Sequence, residues 1–529
     1  MGRRLATVGI PYVTPRGLLD GPRGRSPGSQ RRTRPASLPT GFSAAGQAGI
    51  ALGSDPCSLT LRDPIHGLSP FSEIEERVIN SWPLQRLRGI RQLAMASLGY
   101  PGATHTRFEH SLGAMHVAGR MFDAVMTRLG SKRRAVLGEW SLDEARRRVR
   151  LAALLHDVGH GPFSHASEAA LNKVSADPAA ATGIDVTKLH EFVTLDIIAH
   201  SDGLAAVLDD GDRHAVLQLL DPRRRRRSAL RDIVSGALDA DKLDYLLRDS
   251  YFAGVRYGIV DIDRILESLT ARVAQDETYL AITEDGVLPV EQLLLAKYHM
   301  TLQVYRHKIR RITDALLRRA LLLACDATEG SAQVRAVFSY VPEASSPGEN
   351  RVFVREFLEW DDARILRTIE ELGPGSRAGK IVRALSSRDL PREVFHEPFD
   401  SRKHHFGPLL AAKFDRPDSE AALRLQNEVA EALGQDPDFV VVDVQDVTAA
   451  APTGPGRQLD VEELLVVQSG IERKFAEVSR VLVSRSQAES ASFLSVFVPL
   501  HGDRADREKQ RRAAARAVAS SLRKAKGGP

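Results

Sequence analysis

Cysteine is scarce in this chain, and its scarcity excludes several kinds of site. The 529 residues contain only Cys57 and Cys325, which lie far apart and form no CxxC pair. A disulfide framework, a thiolate zinc site and a dithiol redox centre each need more cysteines or a closer spacing. We therefore expect a reduced, cytoplasmic protein with two incidental thiols.

Long apolar runs are also missing. No stretch approaches the roughly 20 consecutive apolar residues that a membrane helix needs. The chain starts Met1-Gly2-Arg3-Arg4, but prolines and glycines interrupt the residues that follow, so the apolar part of a signal peptide is missing. We expect neither a membrane span nor secretion.

Positive charge is concentrated at the two ends of the chain. The formal net charge of +5 is made of +7 in residues 1–50, +6 in residues 502–529 and −8 in the remainder. Because the body is mildly acidic, nucleic acid is expected at most as a weak partner of the basic ends. Residues 1–50 have the composition of a disordered basic Pro/Gly/Arg-rich segment, or of an upstream extension from a misassigned start.

Helical periodicity dominates the middle of the chain. Apolar residues recur at helical spacing in residues 74–93, 112–129, 145–157, 190–200 and 230–250. Residues 290–324 predict one or two further long helices. Residues 279–283 and 287–290 predict the two arms of a small hairpin that turns at Asp285-Gly286. The sequence therefore predicts a mostly helical body.

Beyond about residue 373 the pattern changes. Prolines separate short segments, and β-branched runs at residues 439–444, 464–467 and 493–498 predict strands. Residues 504–526 predict a frayed basic helix or a tail. The predicted fold is mostly α, with a helical core and a small α+β C-terminal region. The predicted parts are a basic segment at 1–50, a core at 51–372, an α+β region at 373–502 and a basic tail at 503–529.

Two motifs carry the chemistry. Residues 105–113 read His-Thr-Arg-Phe-Glu-His-Ser-Leu-Gly, and an apolar helix ends about forty residues later on the adjacent pair His156-Asp157. Burying both polar side chains without partners costs about 1–3 kcal/mol each, whereas a metal ion would satisfy both. Imidazoles and carboxylates from separate helices suit a divalent transition metal. The predicted ligands are His110, His156, Asp157 and Asp241.

Together with four further strings, these motifs resemble the dNTP triphosphohydrolase branch of the HD-domain phosphohydrolase superfamily. The strings are Asp63-Pro64-Ile65-His66-Gly67, Gln85-Arg86-Leu87-Arg88, Asp241-Lys242-Leu243-Asp244-Tyr245 and Tyr305-Arg306-His307-Lys308. The similarity spans roughly residues 59–325, about half of the chain. It implies a helical HD core and metal-assisted hydrolysis at the α-phosphorus, which releases a deoxynucleoside and inorganic triphosphate.

The resemblance also implies roles for individual residues. His165 and His190 would act as acid–base groups, and Glu168 would fix the imidazole of His165. Substrate contacts are implied for Arg107, Gln92, Leu93, His160, Lys242, Tyr245, Asp249, Lys297 and Tyr305. A regulatory nucleotide site is implied for Asn80, Gln85, Arg88, His307 and Lys308.

Two positions depart from the human member of that branch. Thr301 stands where that protein has a histidine one turn before the tyrosine, so we expect a different contact to the base. Asn80 stands where an acidic residue reads guanine, and an amide offers fewer acceptors than a carboxylate. The resemblance therefore extends to a regulatory site but not to its guanine specificity.

The leading hypothesis is a metal-dependent dNTP triphosphohydrolase. Its histidine and carboxylate ligands suit Mn, Fe, Zn, Co or Ni, with Mg accompanying the phosphates. The expected partners are a dNTP substrate, a nucleotide activator and further copies of the chain, as a dimer or a tetramer. An HD phosphodiesterase, 5′-nucleotidase or nuclease is an alternative, and so is a nucleotide sensor without turnover. Release of inorganic triphosphate distinguishes the first hypothesis from the others.

Overall fold

The computed structural model describes residues 57–175, 189–224, 226–326, 328, 330–341, 347–398, 420–446, 463–468, 471–479 and 492–524. The basic segment predicted at 1–50 lies outside these residues, and so does the end of the basic tail beyond residue 524. Among the described helices, none combines the length and the apolar character that crossing a membrane requires. The mostly helical fold class is confirmed.

Three helices at the centre of the fold carry the predicted metal ligands. The longest, Arg107–Leu129, starts with a capping box in which Thr106 and Glu109 bond each other's backbone N–H groups. It packs against helix Leu142–Leu155 and helix Ala240–Ala253 through residues that are almost fully buried. This packing follows from the apolar spacing in the sequence, because side chains three and four positions apart share one helix face.

Several predicted helices have different ends from those expected. The stretch 190–200 forms helix Leu189–His200, whereas the stretch 230–250 is divided into Ala229–Val234 and Ala240–Ala253. The stretch 290–324 forms two helices, Val287–Met300 and Lys308–Ala324, joined by a π-helical turn at Thr301–Tyr305. The other described helices are Arg134–Leu137, Glu168–Val174, Asp202–Ala205, Asp210–Leu220, Ile262–Ser268, Ala332–Val337, Pro347–Phe357, Asp362–Glu370, Arg377–Ser386, Glu420–Leu433, Phe475–Val478 and Arg504–Lys524.

The stretch 74–93 is not one helix. It contains helix Glu73–Ile79, the single turn Trp82–Gln85 and a 3-10 turn at Arg86–Gly89. Pro83 is tolerated because it lies in a first helical turn, where its missing N–H would have no intrahelical partner. The helical spacing of apolar residues therefore runs through 74–93 although the helix itself is interrupted there.

The hairpin predicted at 279–283 and 287–290 is wrong. Strand Glu277–Thr283 pairs instead with the preceding strand Leu269–Ala274, and residues 287–290 begin helix Val287–Met300. Pro289 lies in the first turn of that helix, where proline's fixed φ is compatible with helical backbone. The Asp285-Gly286 pair forms part of a 3-10 turn that leads into the helix.

The described part of the chain also contains three small sheets. Strands Cys57–Asp63 and Gly67–Ser72 form an antiparallel pair. A four-stranded sheet has the order Leu269–Ala274, Glu277–Thr283, Leu465–Gln468, Ile471–Lys474, and a three-stranded sheet has the order Arg392–Pro398, Ser492–Val498, Val441–Asp446. The strands expected near 439–444, 464–467 and 493–498 are thus present, and one of them extends a sheet that begins in the helical core.

The buried apolar residues that the structure describes form two clusters. The larger one surrounds the three central helices and includes Met115, Leu151 and Leu246, all fully buried. The smaller one lies between the three-stranded sheet and helices Glu420–Leu433 and Arg504–Lys524. The functional residues described below all line or adjoin the larger cluster, so that its packing fixes their backbones.

Candidate metal centre and active site

Four side chains converge where the central helices meet. His110 lies one turn into its helix, His156 and Asp157 follow the end of theirs, and Asp241 lies in the first turn of the third. Oδ1 of Asp241 lies 3.1 Å from Nε2 of His110 and 3.7 Å from Nε2 of His156. Asp157 approaches the same two nitrogens at 3.6 and 3.2 Å. The structure therefore brings the four predicted ligands together.

Hydrogen bonds fix which nitrogen each histidine presents to this centre. Nδ1 of His110 lies 2.8 Å from a carboxylate oxygen of Asp244, and Nδ1 of His156 lies 2.7 Å from the carbonyl oxygen of Ala153. Both partners are acceptors, so Nδ1 carries the proton and Nε2 keeps its lone pair. This is the tautomer that a metal-ligating histidine requires.

The two Nε2 atoms fit a metal ion. Both are buried, and among the described residues neither makes a hydrogen bond of good geometry, which is costly unless a cation accepts their lone pairs. Ligand atoms of His110, His156 and Asp241 all lie within 4.8 Å of one another. Without a cation, burial lowers the pKa of His110, but the neighbouring carboxylates of Asp241, Asp244 and Asp157 raise it to about 10. The donor set of two imidazoles and two carboxylates therefore suits a divalent transition metal.

Asp244 supports this centre from behind, a role that the sequence did not assign. Besides His110 it bonds His66 at 2.6 Å and Arg248 at 2.8 and 2.9 Å, and all of these groups are buried. Arg248 in turn pairs with Asp63. The sequence feature that pointed to these residues was the string around Asp63 and His66. Because His66 precedes Asp244 by 178 residues, the sequence did not predict that the two side chains are in contact.

A glycine makes room for this pair. A Cβ atom on Gly113, one helical turn beyond His110, would lie only 1.9 Å from Oδ1 of Asp244 and 2.3 Å from the guanidinium of Arg248. Such distances are far inside van der Waals contact, so any larger residue would displace the Asp244–Arg248 pair. The absence of a side chain at Gly113 therefore positions the acceptor of His110.

We expect Asp244→Asn to weaken metal binding about 10- to 100-fold, because the amide cannot accept from His110, His66 and Arg248 together. The free energy of unfolding should also fall by about 3–5 kcal/mol, since Arg248 loses a buried counter-ion. Competition with a chelator measures the metal affinity. Asp123→Asn is the control, because it removes an ion pair of the same central helix away from the site; equal metal affinity in the two variants would refute the role of Asp244.

Arg107 contacts the candidate metal centre through Asp157. Its guanidinium donates to Asp157 and, through Nε, to Oγ of Ser164 at 2.7 Å, and the side chain is almost fully buried. Burial alone would raise the pKa of Asp157, but the charge of Arg107 holds it well below its ordinary value. Arg107 thus keeps Asp157 ionised and fixed beside the metal position.

A second group of side chains adjoins the candidate metal ligands. Nδ1 of His165 lies 2.7 Å from Oε1 of Glu168, and Nδ1 of His190 lies 3.1 Å from the same oxygen. His160 stacks on His190 with ring centroids 4.3 Å apart and approaches Asp157 at 3.4 Å. Burial alone would raise the pKa of Glu168, but the two neighbouring imidazoles hold it well below its ordinary range. An ionised Glu168 can therefore orient both imidazoles.

The two groups are joined by a close backbone contact. A Cβ on Gly159 would lie 2.3 Å from the carbonyl oxygen of His190 and 2.3 Å from the backbone nitrogen of Thr194. The N–H of Gly159 donates to Oγ1 of Thr194, whose hydroxyl donates to the carbonyl of His156. The turn after His156 therefore rests directly on the helix that carries His190.

A group of polar side chains surrounds Asp249, which lies two turns beyond Asp241 on the same helix. Tyr305 donates to Oδ2 of Asp249 at 2.8 Å, and Nε2 of His105 contacts Oδ1 at 2.7 Å. The ring of Tyr245 lies 6.2 Å from that of Tyr305. Gln92 is buried beside His105, to whose carbonyl its backbone N–H donates, and its side-chain Oε1 has no hydrogen-bond partner among the described residues. Three of the residues with an implied substrate contact, Asp249, Tyr305 and Gln92, are thus linked through His105 and Asp249, and the contact to substrate stays a prediction.

The two predicted lysines have different surroundings. Lys242 is buried, and its ammonium group is held by Asp239 and by the carbonyl of Gly236 at 2.8 Å. Lys297 is half-buried on helix Val287–Met300, and its carbonyl accepts from Thr301. Phosphate contacts by these lysines stay predictions. Leu93 is buried in the main core.

The expected regulatory residues form two separate groups. Arg88 donates to Gln85 at 2.9 Å and lies 3.6 Å from the ring of Phe108, which follows Arg107. Asn80 ends the neighbouring helix Glu73–Ile79. His307 caps helix Lys308–Ala324, and the exposed ammonium of Lys308 lies 3.9 Å from Glu393; within the described part of the chain, no hydrogen bond or ion pair joins these two groups.

Two family models match the chain. Residues 107–249 match the HD domain, and residues 260–340 match the HD associated region. The first match contains all four candidate metal ligands and ends at Asp249. The second contains helix Val287–Met300 and Tyr305.

Curated relatives extend the similarity. An uncharacterized protein of Methanocaldococcus jannaschii is 34% identical over 50% of this chain and 49% of its own length. An uncharacterized protein of Bacillus subtilis is 32% identical over 63% of this chain and 70% of its own length. The human deoxynucleoside triphosphate triphosphohydrolase SAMHD1 is 27% identical over 51% of this chain and 45% of its own length. The chain thus spans about half the length of several relatives that it matches.

The fold also has a counterpart among solved structures. The crystal structure of a phosphohydrolase from Bacteroides thetaiotaomicron aligns with a TM-score of 0.62 at 24% identity, and it covers 83% of this chain and 99% of that one. The alignment reaches well beyond the residues matched by the two family models. It therefore extends the shared fold into the region that follows residue 340.

Proposed function

Because this chain belongs to the HD-domain phosphohydrolase superfamily, we propose that it is a metal-dependent dNTP triphosphohydrolase. The observation that carries the proposal is the four-residue candidate metal centre, which contacts the Glu168 group through Asp157 and His160 and shares a helix with Asp249, the partner of Tyr305. Named relatives with this activity, including the human enzyme, support the choice of substrate. The products would be a deoxynucleoside and inorganic triphosphate.

The metal would be held by Nε2 of His110 and His156 and by the carboxylates of Asp157 and Asp241. When bound, it supplies an activated water at neutral pH and offsets charge on the phosphate. Asp244 and the carbonyl of Ala153 keep both imidazoles in the ligating tautomer. Arg107, already beside Asp157, offers its remaining N–H groups to a phosphate oxygen.

Proton transfer is assigned to His165. Its imidazole is the exposed member of the second group, with 58% of the side chain accessible, and its Nδ1 is held by Glu168. Nε2 therefore faces outward and can protonate the 5′ oxygen as the bond from that oxygen to the α-phosphorus breaks. His190, held by the same carboxylate, is the second acid–base candidate.

The group of polar side chains around Asp249 supports deoxyribose over ribose. Asp249 is buried and both of its oxygens are bonded, so its position is fixed by Tyr305 and His105. A carboxylate oxygen has a second lone pair and can accept from a 3′-hydroxyl while it keeps the bond to Tyr305. The phenol of Tyr305 beside it would crowd a 2′-hydroxyl.

Product analysis tests this function. Purified protein would be incubated with each dNTP singly and in mixtures, with Mn or Mg, and the deoxynucleoside and triphosphate would be quantified. Equal amounts of the two products support the proposal, and a requirement for mixtures indicates an activating nucleotide. Monophosphate, pyrophosphate or no product from any dNTP would contradict it and favour a phosphodiesterase, a nucleotidase or a sensor.

A further inference from the structure

The carboxylate of Asp362, a residue outside the regions matched by the two family models, contacts two loops of the candidate active site. Asp362 is the first residue of helix Asp362–Glu370, and its side chain is buried. Its Oδ1 accepts the backbone N–H of Phe163 at 2.6 Å, and its Oδ2 accepts the backbone N–H of Arg91 at 3.0 Å. The family matches end at residue 340, so neither assigns a role to this residue.

The first of these contacts holds a strained turn. Phe163 and Ser164 both have positive φ angles, 61° and 54°, in the left-handed region that residues with a Cβ atom rarely adopt. Such a conformation persists only where the surrounding structure holds it. The turn follows the metal ligands His156 and Asp157 directly and leads into His165. Its backbone therefore positions both groups of the active site.

The second contact closes a ring of hydrogen bonds. Oγ of Ser164 donates to the carbonyl of Arg91 at 2.8 Å and accepts from Nε of Arg107 at 2.7 Å. Asp362 thus joins the N–H of Arg91 to the turn, while Ser164 joins the carbonyl of Arg91 to the same turn. Together these two links fix the position of Ser164, which accepts from Arg107, and Arg107 in turn donates to the candidate ligand Asp157.

A second link runs through Arg86. Its Nε donates to the carbonyl of Trp360 at 2.8 Å, and its Nη1 donates to the carbonyl of His160 at 3.0 Å. The guanidinium also lies 4.6 Å from the ring of Phe357. The segment 357–362 is therefore linked to the active-site turn twice, directly through Asp362 and indirectly through Arg86, which bridges the carbonyls of Trp360 and His160.

Retaining a carboxylate at this place is unfavourable for stability. Burial raises the pKa of Asp362 to about 7, against the effect of the two N–H donors and of Arg91. A raised pKa means that the folded chain holds this proton more tightly than the unfolded chain, so ionisation at neutral pH opposes folding. Charged groups that are kept at such a cost are concentrated at functional sites.

We propose that Asp362 is a positioning residue of the active site, which fastens the loop at Arg91 to the turn at Phe163 and thereby holds Arg107 against Asp157. The effect of Asp362 on triphosphate release rests on the proposed function. Its effect on the positions of the two loops rests on these contacts alone. The loop at Arg91 also presents Gln92, so Asp362 aligns a substrate-binding residue with the metal centre.

The test compares Asp362→Asn with Asp361→Ala. Asparagine keeps one acceptor, but its amide NH₂ must face one of the two backbone donors. Asp361 caps the same helix by accepting from the N–H of Arg364 and makes neither loop contact itself, so Asp361→Ala controls for a loss of helix stability next to Asp362. We expect Asp362→Asn to lower kcat/KM for triphosphate release about 10- to 100-fold with unchanged metal content, and Asp361→Ala to lower only the Tm.

Two results would overturn the proposal: an unchanged kcat/KM in Asp362→Asn well below its Tm, or an equal loss in Asp361→Ala. If the unsubstituted protein itself releases no triphosphate, the proposed function fails, and amide hydrogen exchange decides the positioning role. Faster exchange at Arg91 and Phe163 in Asp362→Asn alone supports it. Unchanged exchange at both amides, or the same acceleration in Asp361→Ala, overturns it.

Discussion

Replacing His156 and Asp157 together by alanine should remove the bound metal and lower dNTP hydrolysis by at least about 10⁴-fold. Two of the four ligands are lost, and Asp157 is also the partner that fixes Arg107. Without the metal, neither the activated water nor the charge compensation for the phosphate is available, and these are worth several kcal/mol of barrier. Elemental analysis of the purified variant and a triphosphate assay measure the two effects.

His214→Ala provides the matched control for this experiment. His214 lies on helix Asp210–Leu220, is exposed, and bonds only the neighbouring Gln218 among the described contacts. It should retain full metal content and full activity. If the variant with His156→Ala and Asp157→Ala keeps one metal ion per chain, the four-ligand assignment is wrong. The ion would then belong at His160, His165 and Glu168, whose ligand atoms also lie within 4.8 Å of one another.

His165→Ala should lower kcat about 10²- to 10⁴-fold while metal content and KM for dNTP change little. The imidazole lies outside the ligand set, so its removal leaves the metal in place but deprives the leaving 5′ oxygen of its proton donor. Because Glu168 orients His165 through Nδ1, Glu168→Gln should lower kcat as well, by a smaller factor. Steady-state kinetics with metal content measured on the same samples separates these effects.

The control is His200→Ala, which removes another partly buried histidine that faces a carboxylate, Asp196, in the same helix as His190. Its kcat should equal that of the unsubstituted protein. A normal kcat in His165→Ala together with a large loss in His190→Ala would transfer the proton-donor role to His190. A loss of metal in His165→Ala would show that His165 is a ligand.

The candidate metal ligands could be identified from the sequence because they stand in recognisable local patterns, and their role as ligands stays a prediction. His156 and Asp157 are adjacent at the end of an apolar helix, and Asp241 opens a helix with a regular polar face. Each pattern required only the known periodicity of a helix and the chemistry of the side chains. The mostly helical fold followed in the same way, because periodic apolar spacing largely determines which residues form helices.

The supporting residues could not be predicted, because their partners are distant in the chain. Asp244 meets His66 across 178 residues, and Asp362 meets Phe163 across 199 residues. Nothing in the local sequence of Asp362 distinguishes it from an ordinary acidic residue in a first helical turn. The hairpin expected at 279–290 was wrong for a related reason: the true partner of strand Glu277–Thr283 was the segment before it, and Pro289 began a helix.

Hydrolysis in ¹⁸O-labelled water tests the central claim most directly. If water attacks the α-phosphorus and the bond to the 5′ oxygen breaks, one ¹⁸O atom enters inorganic triphosphate and none enters the deoxynucleoside. Mass spectrometry of both products measures the label. Triphosphate carrying one ¹⁸O beside unlabelled deoxynucleoside is the predicted result. Labelled deoxynucleoside, or label in phosphate or pyrophosphate with no triphosphate formed, would contradict the account.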